Sequence, residues 1–107
     1  VTAAAVDDAT IERSIAAAYR RNGLVVCPHT ATALHVWQTL PAAERDGGDW
    51  AVVATAHPAK FEAIVEPLIG TGVELPPALA QLLRRPAAMR ELAPALPALA
   101  QALEERH

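Results

Sequence analysis

The sequence predicts an α/β fold: a short parallel βαβ unit packed with several helices. Two observations predict it. Short apolar runs, Leu24-Val25-Val26 and Trp50-Ala-Val-Val-Ala-Thr55, flank a stretch whose apolar residues recur at helical spacing. Strand, helix and strand in that order argue for a crossover unit, which is nearly always right-handed.

Asp7 and Asp8 can cap a first helix, in which Ile11, Ile15 and Tyr19 share one face. Asn22-Gly23 ends it, because both residues tolerate a left-handed cap. Leu24 to Val26 then reads as a buried strand ending near Cys27. Pro28 and His29 open a second helix with Ala33, Leu34, Trp37 and Leu40 as its stripe, and Pro41 stops it. Residues 42–49 are charged, contain Gly47-Gly48 and read as an exposed loop. The second strand, residues 50–55, leads to a third helix opened by Pro58, with Phe61, Ile64, Val65, Leu68 and Ile69 on one face. Gly70 and Gly72 break it.

Beyond residue 75 the chain is punctuated by Pro76, Pro77, Pro86, Pro94 and Pro97. Leucine spacing there predicts packed helices around Leu79–Leu83 and Leu96–Leu103, and residues 88–92 fit an edge strand. The expected organisation is one segment, 1–107, with a βαβ core over about 8–70 and a proline-rich helical tail over about 76–105. His107 reads as a disordered or tag-derived end.

Composition narrows the function. Of 107 residues 52% are hydrophobic, but alanine dominates and aromatics are only 4%, so each buried side chain removes little area from water. A net charge of −3 without a basic patch argues against a nucleic-acid partner. No apolar run approaches the roughly 20 residues that span a bilayer, so no membrane role is expected. Cys27 is the only cysteine, which excludes an internal disulfide and suits a reducing cytoplasm. Flanked by apolar residues, it reads as a buried structural thiol. No metal site is expected: His29 and His35 lie six residues apart, about 120° away from a shared helical face, and cannot chelate together.

The chemistry-bearing segment is Thr55-Ala-His-Pro-Ala-Lys-Phe61. It sets a hydroxyl, an imidazole and an ammonium where a strand ends and a helix begins, the edge at which α/β sheets bind ligands. Cys27-Pro-His-Thr-Ala31 forms a second such junction, which parallel strands would bring to the same edge. Each residue also has a plain role. Thr55 can cap the Pro58 helix, His57 can bury its ring and bond backbone beside that cap, and Lys60 can be a solvated surface lysine. Lys60 can alternatively join a phosphate site at the helix start.

The string TAHPAKF, with PHTATAL upstream and the PPALAQLL run downstream, resembles the C-terminal portion of threonine synthases, over about Asp8 to Leu103. Those enzymes belong to the tryptophan-synthase-like, fold-type II pyridoxal-phosphate (PLP) family. The resemblance implies a parent enzyme, a carbon–oxygen lyase that converts O-phosphohomoserine and water to threonine and phosphate. It implies that Thr55 faces the pyridine nitrogen of PLP, and it makes His57 and Lys60 candidates for substrate or phosphate. It places no catalytic residue in this segment. The sole lysine, Lys60, does not match the family's Schiff-base lysine, and the five glycines, at 23, 47, 48, 70 and 72, form no phosphate cup. Both parts are therefore expected on a missing N-terminal part of the enzyme, as its partner. The segment alone is expected to be inactive, to bind PLP weakly and to self-associate through uncovered apolar surface. The alternative is a free-standing α/β module that binds a phosphorylated metabolite or regulates a partner enzyme.

Overall fold

The computed structural model describes residues 3–87 and 89–105. His107 and residue 88, the start of the expected edge strand, lie outside them; residues 89–92 form no strand.

The expected α/β fold does not form. Among the described residues the chain is helical, with no strand and no βαβ unit. Six α-helices follow in order: α1 (Asp8–Asn22), α2 (Pro28–Thr39), α3 (Ala42–Arg45), α4 (Glu62–Ile69), α5 (Pro77–Leu83) and α6 (Leu96–Glu104). A 3-10 turn, Pro58–Phe61, runs directly into α4. The physical reason lies in the backbone. A strand exists only where another strand takes its N–H and C=O groups, and a short isolated pair is marginal in water. Among the described residues, 24–26 and 50–55 exchange no backbone hydrogen bonds with each other. Leu24–Val26 is instead a short link between two helices, with Val26 in the core, Val25 packed against it and Leu24 exposed.

The chain divides into two compact units, one ending at Leu75 and one beginning at Pro76. In the first, α1 packs on α2 and α4. The core cluster is Ile15, Val26, Ala31, Val65 and Ile69, with Ile11, Tyr19, Leu34, Phe61 and Leu68 against it. The expected faces of the first and third helices are thus largely right, although Ile64 is exposed. On α2 the buried residues are Thr30 and Ala31, one turn before the expected stripe. Trp37 is half-buried, and Arg45 of α3 places its guanidinium 5.9 Å from the ring centroid, a cation–π distance.

Sequence signals fix the ends of α1. The Asp7 carboxylate accepts from Thr10 N–H at 2.7 Å, and bonds from the Thr10 backbone and hydroxyl hold its pKa below the ordinary aspartate value. Asp8 in the first turn and Arg20 and Arg21 in the last suit the helix dipole. At the other end Gly23 takes φ of 64°, donating to Tyr19 O at 2.8 Å while Leu24 N–H reaches Ala18 O. A Cβ at Gly23 would meet open space, so the cost of Gly23→Ala is the left-handed backbone alone. We expect a loss of about 1–2 kcal/mol, read as a lower urea midpoint at an unchanged slope.

In the second unit the spacing locates α5 and α6 correctly, but neither buries a residue. Leu82, Leu83, Leu96, Leu99 and Leu103 are all exposed, so the expected packed tail is not present. Arg90 and Glu105 form an ion pair within this unit.

Candidate functional site

Two junctions meet in the first unit. Cys27, in extended conformation, is the N-cap of α2, and Pro28 fits the first helical position. Cys27 is 1% exposed, and its Sγ lies 3.3 Å from Thr30 Oγ1, itself buried. Burial pushes the thiol pKa up. The Thr30 hydroxyl and the backbone N–H groups of Thr30, His29 and Ala56 pull it down, and the net shift is downward.

The influence of Ala56 on the thiol places its backbone near Cys27, and Ala56 belongs to the second junction. His29 also reaches that junction, edge-on to Phe61 with ring centroids 5.2 Å apart. The two segments expected to share an edge thus do lie together, joined by side chains and helix starts rather than by a strand pair.

Within the second junction Thr55 is exposed and is not the helix cap. His57 takes that role: its Nδ1 accepts from Ala59 N–H at 3.2 Å. With Nδ1 accepting, Nε2 is the ring nitrogen left to donate. The ring bonds backbone as expected, but His57 is exposed. Lys60 is exposed too, in the 3-10 turn, where its N–H donates to His57 O at 3.0 Å.

His57 also lines an open cleft of about 470 Å³ with Tyr19, Val25, Thr71 and Glu74. Thr55 and Lys60 are not among the residues lining it. Sequence reasoning missed the Cys27–Thr30 pair and this cleft. A Cys-x-x-Thr at a helix start was a usable signal for the first, since capping positions aim side chains at free N–H groups. The cleft joins residues over 50 positions apart in sequence and had no local signal.

Among the described residues no group of three or more His, Cys, Asp or Glu side chains could hold a metal ion. No helix among them is long and apolar enough to cross a membrane.

A family model described as "Threonine synthase, C-terminal" matches residues 30–105. The match includes the Thr55–Phe61 string and the tail, and it begins after His29, so α1 lies outside it. No curated protein and no solved structure matches the chain.

Proposed function

The chain belongs to the threonine synthase C-terminal family, and on that premise we propose that it is the C-terminal part of a PLP-dependent enzyme making threonine and phosphate from O-phosphohomoserine and water. The observation that carries the proposal is the family match across Thr55–Phe61, with the Thr55 hydroxyl exposed and free of any capping duty.

The side chains present fit one contact to PLP. When bound, PLP supplies an electron sink for elimination and replacement at the substrate. Thr55 offers a neutral hydroxyl, which can donate to an unprotonated pyridine nitrogen. A neutral donor moderates the sink; a carboxylate at that place would hold a proton on the ring and strengthen it. The residue after Thr55, Ala56, lies near the buried Cys27 thiol at the start of α2.

Lys60 is the cation we assign to the substrate or product phosphate. His57 is the weaker candidate for that anion. It lines a cleft with Glu74, and a carboxylate nearby opposes a phosphate dianion. The amine that anchors PLP and the cup for its phosphate are assigned to an N-terminal region, because the sole lysine, Lys60, and the scattered glycines do not supply them. Exposed Trp50 and Val53, beside Thr55 in sequence, support docking of that region here.

The test compares this chain alone with the same chain joined to a threonine synthase N-terminal region, each given PLP and O-phosphohomoserine. We expect no phosphate release from the first and steady release from the second. Turnover by the chain alone, or silence from the joined protein, overturns the proposal.

A further inference from the structure

The cleft beside His57 has a chemistry of its own, separate from the Thr55 and Lys60 side chains. We propose that it is a binding site for a small zwitterionic α-amino acid, in which Glu74 takes the ammonium and Tyr19, His57 and Thr71 take the carboxylate.

The walls are held in place by turns and hydrogen bonds on three sides. On one side the Gly23 turn fixes the path from Tyr19 to Val25, with Gly23 N–H on Tyr19 O at 2.8 Å. On the other, Gly70 at φ of 73° turns the chain off α4. There Glu66 Oε1 accepts from Val73 N–H at 2.9 Å and pins the 71–74 segment. At the third side Ala59 N–H holds His57 Nδ1, which leaves Nε2 as the ring nitrogen to donate. A site whose walls are already bonded loses less freedom on binding.

The lining then defines the ligand. Val25 and Val73 give an apolar patch for a short side chain. Three of the lining residues, Tyr19, Thr71 and His57, carry donors suited to a carboxylate. Glu74 is the charged residue of the cleft. A simple anion is repelled by it, and a simple amine leaves the three donors without a partner, whereas a zwitterion satisfies both sets. The volume, about 470 Å³, admits a small amino acid together with water.

The experiment is calorimetric titration of the 107-residue chain with L-threonine, and in parallel with acetate and with propylamine, which carry one charge each. We expect saturable binding of L-threonine at millimolar or lower concentration, with acetate and propylamine at least tenfold weaker. Glu74→Gln should weaken threonine at least tenfold, and Tyr19→Phe by a smaller factor, with the wild-type circular dichroism spectrum retained. Absence of saturable threonine binding overturns the proposal. So does acetate or propylamine binding as well as threonine, or affinity unchanged in both variants. Because this test uses neither PLP nor phosphate release, its failure leaves the proposed reaction untouched.

Discussion

Ile15→Ala is expected to remove at least half of the stability of the first unit at 25 °C. Ile15 is fully buried on α1 at the point where α2 and α4 close on it. Replacing a buried isoleucine by alanine costs about 2–5 kcal/mol, the larger values where the surroundings cannot collapse. Here collapse is blocked from the start, since the facing residue Ala31 is already small and Val65 is already fully buried. The whole first unit, about 75 residues, has a stability of roughly 4 kcal/mol at the low end for a chain of that size. Its core cluster has only five buried members, one of them alanine, which argues for that low end. The check is urea unfolding followed by far-ultraviolet circular dichroism on wild type and variant. A loss below about 1 kcal/mol would mean that the α1–α4 contact does not hold the unit together.

Thr55→Asp is expected to lower phosphate release by roughly 10²-fold in the protein joined to its N-terminal region, on the usual scale of one misplaced electrostatic group at a reacting centre. In the proposed contact the hydroxyl would donate a hydrogen bond, whereas an ionised carboxylate can only accept and would draw a proton onto the pyridine nitrogen. Thr55→Ser keeps the donor and should stay within a few-fold of wild type. The substitution should fold, because Thr55 is exposed and the helix cap belongs to His57. The absorbance of bound PLP gives a second readout, which should shift in the aspartate variant and not in the serine variant. Equal rates for all three proteins would remove Thr55 from the cofactor.

Much of the helical structure was legible in the sequence because helices are local. Asp7, Gly23, Pro28, Pro41, Pro58 and Gly70 punctuate the chain within a residue or two of the observed ends. The strands were misread for the opposite reason. Leu24–Val26 and residues 50–55 have the composition of buried strands, yet a strand is defined by a partner that lies elsewhere. Exposed Leu24, Trp50 and Val53 show how much apolar surface these segments leave uncovered. The tail leucines were misread in the same way: spacing at helical period located α5 and α6 but could not say what, if anything, covers them. At the site, the string from Thr55 to Phe61 drew notice through its residue types. The meeting of Cys27 with Ala56, and of Tyr19 with Glu74, depends on how α1, α2 and α4 pack, which no local pattern encodes.

The Cys27 thiol combines two properties that oppose each other. Hydrogen bonds lower its pKa, yet it is 1% exposed. An alkylating reagent can reach it only when the packing around the start of α2 opens locally. The labelling rate therefore counts openings of that junction, much as amide exchange counts local unfolding. As the chain's single sulfhydryl, it is a built-in clock for the motion of the segment that carries Thr55.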